Sequence, residues 1–176
     1  MIIDLCGLIS QTGLTKEYVI PIEMDSFKST MGEYQIKSKK DLTLTFKNTG
    51  KKTISLNSKL DIVFTVPCDR CLMDVDTHIN LDSERDINFG EESENADELL
   101  EDMSFIEGTA FDTERYVYCE ILENFPMKVL CKDGCKGICT VCGCNLNEGE
   151  CNCDRTVLDP RMAKIKDIFK QFNSKN

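Results

Sequence analysis

Seven of the eleven cysteines lie within one short stretch, spaced Cys131-x3-Cys135-x3-Cys139-x2-Cys142-x-Cys144-x6-Cys151-x-Cys153, and Cys68-Asp69-Arg70-Cys71 repeats the two-residue gap upstream. A two-residue loop points both thiols the same way, so such pairs can converge on one tetrahedral ion. The sharpest unit is Cys139-Thr140-Val141-Cys142-Gly143. Its amides can turn toward the first sulfur, and the glycine permits a backbone conformation that a Cβ disfavours. Cys68 and Cys71 are followed by Leu72 and match less well. Cys151-Asn152-Cys153 is tighter, and strain there opposes service of one ion by both sulfurs. The most economical site is Cys139, Cys142, Cys151 and Cys153. A second tier of Cys68, Cys71, Cys131 and Cys135 raises the total to eight, enough for two ions, with Cys6, Cys119 and Cys144 as spares. The reading is one Zn2+ ion in preference to two, since nothing in the spacing demands a second, and it is structural because four thiolates leave no open position for water. A disulfide framework, an iron–sulfur cluster and a redox dithiol at Cys68/Cys71 are the alternatives.

Compartment separates metal from disulfides. The opening Met1-Ile2-Ile3-Asp4-Leu5 lacks a basic region followed by an apolar run, and no later segment is apolar enough to span a membrane. The expectation is a cytoplasmic protein, where thiols stay reduced. An odd number of cysteines also forbids complete internal pairing. Other signals of enzyme chemistry are thin. The single histidine, His78, falls on the polar face of its segment, and no phosphate loop or nucleophile elbow is present. The expectation is therefore a protein that is not an enzyme and has no small-molecule substrate.

The elements that must position these thiols read as an α+β chain: an antiparallel β-rich body, two short helices and a C-terminal cysteine-rich zinc-binding module. Residues 17–24 read as a strand with an edge proline at Pro21. Leu42, Leu44 and Phe46 alternate, Asn48-Thr49-Gly50-Lys51 supplies turn chemistry, and the period of two resumes from Ile54 to Val66. Pro67 ends that strand, Cys68–Cys71 turns, and Val75, Thr77, Ile79 and Leu81 form a third. Residues 82–107 read as an acidic loop with a short helical turn near 96–102. Asp112 caps a helix over 113–124, with Val117, Ile121, Leu122 and Phe125 on one face. Asp159-Pro160 starts another, striped by Met162, Ile165, Phe169 and Phe172. The chain divides into residues 1–111 and 112–176.

Net charge is −10, but unevenly placed. Residues 82–107 hold eleven acids against Arg85 alone, whereas residues 28–59 hold eight lysines and two acids. The basic stretch permits phosphate contact, and the acidic one opposes it.

Three further segments carry a resemblance: Val66-Pro67-Cys68-Asp69-Arg70-Cys71-Leu72, Leu122-Glu123-Asn124-Phe125-Pro126-Met127, and Leu130 to Cys139. With the run Cys142 to Cys153 and Asp159-Pro160-Arg161, the chain resembles the cysteine-rich branch of the YceD family, the large ribosomal RNA subunit accumulation proteins. The resemblance implies a bacterial cytoplasmic factor needed for 23S ribosomal RNA accumulation and large-subunit biogenesis, and brings no catalytic residues. Its implied partner is 23S RNA or a pre-large-subunit particle; the charge pattern then suits RNA contact through Lys37, Lys39, Lys40, Lys51 and Lys52 and a basic ribosomal protein facing the acidic segment. A zinc- or thiol-responsive binding protein is the alternative.

Overall fold

The computed structural model describes residues 1–30, 32–89 and 105–153. In chain order its elements are β1 (Ile2–Asp4), α1 (Cys6–Ile9), β2 (Thr15–Ile20), β3 (Ser26–Ser29), β4 (Gly32–Lys39), β5 (Leu42–Gly50), β6 (Thr53–Pro67), β7 (Asp74–Asn88), β8 (Ile106–Glu107), β9 (Ala110–Asp112) and α2 (Thr113–Asn124). All strand pairings are antiparallel. β6 is the spine of a six-stranded sheet. Its first half pairs with β5 and its second half with β4, while β7 runs beside it over all fifteen residues. β2 lies at an edge and ends before Pro21, which has no N–H to donate to a ladder.

One face of β5 and β6 buries Leu42, Leu44, Phe46, Ile54, Leu56, Leu60, Ile62 and Phe64. The strict alternation read from the sequence is thus the core face. α2 and the small β1–β9–β8 sheet cover it, with Phe46 edge-on to Phe111 at 5.1 Å and Phe105 edge-on to Tyr116 at 5.0 Å between ring centres. Asp112 caps α2 as its sequence position predicts, accepting hydrogen bonds from the Glu114 and Arg115 amides.

Three readings are corrected. β7 continues through 82–88, where a loop was expected. Its inward positions there include Ser83 and Arg85, which look like solvent residues until their partners are seen. Ser83 shares protons with Ser58 and Tyr116, and Arg85 reaches the buried Glu120 carboxylate at 3.0 Å. The α2 stripe is also displaced: Leu122 is 46% exposed, and Tyr116 and Glu120 are buried instead. The chain turns at Lys51–Lys52, not at Asn48. Asn48 is buried in a bulge, and its amide donates to the Leu8 and Ile9 carbonyls, tying down α1. Residues 90–104 of the expected acidic loop, with the helical turn near 96–102, and the helix starting at Asp159-Pro160 lie outside the described residues.

Candidate metal centres

The turn between β6 and β7 is a knuckle. The Cys68 amide donates to the Met73 carbonyl at 2.8 Å, and the Leu72 amide donates to the Cys68 carbonyl at 2.9 Å. The same loop recurs downstream, with the Cys139 amide donating to the Cys144 carbonyl and the Gly143 amide to the Cys139 carbonyl, both at 2.8 Å. Gly143 has φ 74° and Leu72 has φ 61°. Leu72 therefore adopts the left-handed conformation although it carries a Cβ, at a cost of roughly 1–2 kcal/mol. The missing glycine does not weaken the first knuckle's geometry. The Val141 amide points at the Cys139 sulfur at 3.4 Å, as expected of a loop built to hold negative sulfur.

Two quartets of sulfurs assemble around these knuckles. Cys68 and Cys71 meet Cys131 and Cys135, and Cys139 and Cys142 meet Cys151 and Cys153. Within each quartet all four sulfurs lie within 4.8 Å of one another. Cys151 and Cys153 reach the same point despite their one-residue gap. A tetrahedral ion with metal–sulfur bonds of about 2.3 Å needs sulfur–sulfur edges of about 3.8 Å. In the first quartet Cys68 and Cys135 are 3.9 Å apart, and Cys71 and Cys131 are 3.5 Å apart. These are edges of such a tetrahedron, far longer than the roughly 2.05 Å of a disulfide. None of the eleven cysteines is in a disulfide. Each quartet can hold one metal ion.

The first quartet draws its ligands from two distant segments, and the intervening backbone is stitched together. Asp69 donates its amide to the Val129 carbonyl at 2.9 Å and accepts the Val129 amide on its carboxylate at 2.7 Å. The Arg70 guanidinium donates to the Cys135 carbonyl at 2.8 Å, and the Arg70 carbonyl accepts from Ile138 at 3.0 Å. That approach is why residue 137 is glycine. Its φ is 80°, and a Cβ there would stand 3.0 Å from the Arg70 oxygen.

Proton affinities within each quartet are split, as crowded sulfurs require. Burial pushes the Cys68 thiol up, but the Arg70, Cys71 and Cys131 amides outweigh it and hold the group at about 6. The Cys71 side chain and burial push Cys131 up to about 12. In the second quartet the Cys153 amide and the Cys139 side chain bring Cys151 to about 6, while Cys142 and burial raise Cys153 to about 12. Some sulfurs keep protons because four adjacent thiolates repel one another. A cation removes that repulsion.

Cys6 and Cys119 belong to neither quartet, whereas Cys144 stands beside the second. Its thiol is pushed up to about 12 by Cys142, then Cys151 and burial. Sequence reasoning missed Asn147, whose side chain donates to the Cys135 sulfur at 3.3 Å. The only signal for it was its place between two ligand pairs.

The five lysines do not form one patch. Lys37 pairs with Asp76, Lys39 with Asp25 at 2.9 Å and Lys40 with Asp61 at 2.6 Å. Lys51 and Lys52 sit exposed at the β5–β6 turn, the opposite end of the nine-residue β5 from Lys40, roughly 30 Å away.

No helix among the described residues is long and apolar enough to cross a membrane. No curated protein and no solved structure matches the chain. A family described as "Large ribosomal RNA subunit accumulation protein YceD" matches residues 56–169. That span begins in the spine strand and contains all eight quartet cysteines, so the features that assemble the two centres fall inside it. With well over half its length matched, the chain belongs to the YceD family of large ribosomal RNA subunit accumulation proteins.

Proposed function

We propose that both quartets hold Zn2+ as structural centres, and that the protein supports 23S ribosomal RNA accumulation by binding within the maturing large subunit, with no chemistry of its own. The observation that carries this reading is the family match, whose span includes both quartets. Four thiolates per ion close the coordination sphere, which suits a staple and leaves no position for an activated water. Four sulfurs within 4.8 Å enclose room for one ion and not for a cluster of bridged irons. Zinc suits such a site because tetrahedral thiolate ligation fits it without redox change. Unbridged thiols at this density suit a reducing compartment, which supports placing the protein in the cytoplasm, and the family resemblance supports a bacterial one.

Lys51 and Lys52, exposed at their turn, are the better-placed candidates for RNA phosphate. Lys37, Lys39 and Lys40 would first exchange carboxylate partners. The outward face of β7 carries Asp74, Glu84 and Asp86 beside Asp76 and Asp82, which hold Lys37 and Lys59, a row that a basic ribosomal protein would meet in full by displacing those two lysines. Deleting the gene should lower 23S relative to 16S RNA and deplete mature large subunits. An unchanged ratio would contradict the function.

A second reading, a thiol-responsive binding protein, is favoured by Cys144, a fifth thiol beside the Cys142 and Cys151 sulfurs. Mild peroxide would then release the second ion and change partner binding together. Release without a change in binding would leave Cys144 a spare.

A further inference from the structure

The two quartets share one small element. Residues 136–147 fold back on themselves, with an antiparallel bridge between Ile138 and Asn145 and the Leu146 amide donating to the Gly137 carbonyl at 2.9 Å. Cys139 and Cys142 sit at the tip and supply half of the second quartet. The base of the same element rests on the first quartet, through the Ile138 amide on Arg70 and the Asn147 side chain on the Cys135 sulfur.

Asn147 is clamped in one orientation. Its Oδ1 accepts from the Lys136 amide at 2.9 Å, and its Nδ2 donates to Asn145 Oδ1 at 2.8 Å and to the Cys135 sulfur at 3.3 Å. A flipped amide would set its NH2 against the Lys136 N–H and its oxygen against the sulfur, so the network admits only this arrangement. Asn145 is fixed in turn, donating to Glu148 at 2.7 Å and to the Met73 sulfur in the first knuckle at 3.3 Å. A side chain lying between the ligands of the second centre thus positions a ligand of the first.

We infer that the 136–147 hairpin couples the two metal centres, with Asn147 as a positioning residue for Cys135, so that an ion in either quartet strengthens binding in the other. The physical basis is shared ordering. An ion held by Cys139 and Cys142 fixes the hairpin and presents Asn147 to Cys135. An ion at Cys135 fixes Asn147 and the hairpin base, leaving less to order when the tip is loaded. Linkage requires the two effects to be equal. The inference rests on both quartets being metal centres, and the test separates the two claims.

Co2+ is the probe, because thiolate-to-Co2+ charge-transfer absorption reports both ligand number and the electron density on sulfur. It is titrated into the reduced full chain, into Cys142→Ser/Cys151→Ser, which keeps only the first centre, and into Cys71→Ser/Cys131→Ser, which keeps only the second. Each surviving centre should bind more weakly than in the unmodified chain, by the same factor in both variants. Asn147→Ala should weaken the first centre roughly 10- to 100-fold, the usual range for a lost partner of a ligand. Its charge-transfer band should move to lower energy as the sulfur loses a donor. Asn147→Asp keeps the acceptor for Lys136 and the side-chain size but sets an oxygen against the sulfur. It should weaken the first centre at least as much, which loss of hairpin structure alone would not produce. Two ions bound with affinities indifferent to these changes would overturn the coupling and leave the centres standing. No Co2+ uptake by the unmodified chain would overturn the metal reading itself.

Discussion

At the residue scale, the two knuckles are the same loop built with different residues, and the difference is measurable. Leu72 holds φ 61° while 63% exposed, so its side chain gains little from burial to offset the strain. Leu72→Gly should therefore raise the stability of the metal-loaded protein, by up to about 1 kcal/mol after the extra freedom of glycine in the unfolded chain is counted. Gly143→Leu should lower it by a similar amount, and urea unfolding of both variants checks the pair. The glycine after Cys142 marked its loop plainly in the sequence. The first loop was underrated because a left-handed leucine leaves no trace in residue type. The sulfurs also dictate a pH response. Cys68 and Cys151, at about 6 against the usual 9.0, stay ionised at neutral pH and take up protons as the pH falls through about 6. Depressed values of this kind contribute stability at higher pH and lose it below the folded value, and protons then compete with metal. Zn2+ affinity measured from pH 8 down to pH 5 should fall steeply below about 6. Cys131 and Cys153, at about 12, should release protons on loading at neutral pH.

At the element scale, the first quartet joins the end of the β6–β7 hairpin to the cysteine-rich segment, whereas the sheet has its own alternating core. Chelation should consequently abolish hydrogen-exchange protection over 129–153 and the 68–73 turn while β5, β6 and most of β7 stay protected. Uniform loss across the chain would mean that the sheet depends on metal. The sheet's spine was legible because Leu42 to Phe46 and, Ser58 apart, Ile54 to Val66 place an apolar residue at every second position. The outer half of β7 was not, because Ser83 and Arg85 face inward only by virtue of Ser58, Tyr116 and Glu120, partners that no local window contains. The same blindness displaced the α2 stripe: Glu120 is buried because Arg85 waits across the interface, and Leu122 is exposed because nothing described covers it. β1, β3, β8 and β9 are two to four residues long, too short for any period to register.

At the scale of the whole molecule, charge is paired across the sheet, where Asp76 and Asp82 of β7 meet Lys37 and Lys59. The acids of β7 face outward along one edge of the sheet, and exposed lysines gather at the ends of β5. The family to which the chain belongs is named for accumulation of the large ribosomal RNA subunit. The first cysteine quartet fastens the cysteine-rich segment to the β6–β7 turn, and both quartets were present in the sequence as eight thiols. Their division into Cys68/Cys71/Cys131/Cys135 and Cys139/Cys142/Cys151/Cys153 follows from which knuckle each later pair can reach. The presence of two closed thiolate centres organises the cysteine-rich part of this chain. It is tested most directly by native mass spectrometry of the reduced full chain, combined with alkylation of its accessible thiols. Two Zn2+ ions per chain are expected, with exposed Cys6 reacting and the eight quartet cysteines protected until a chelator is added. A chain that carries no zinc, or carries iron with sulfide, or whose quartet cysteines alkylate as readily as Cys6, would contradict it.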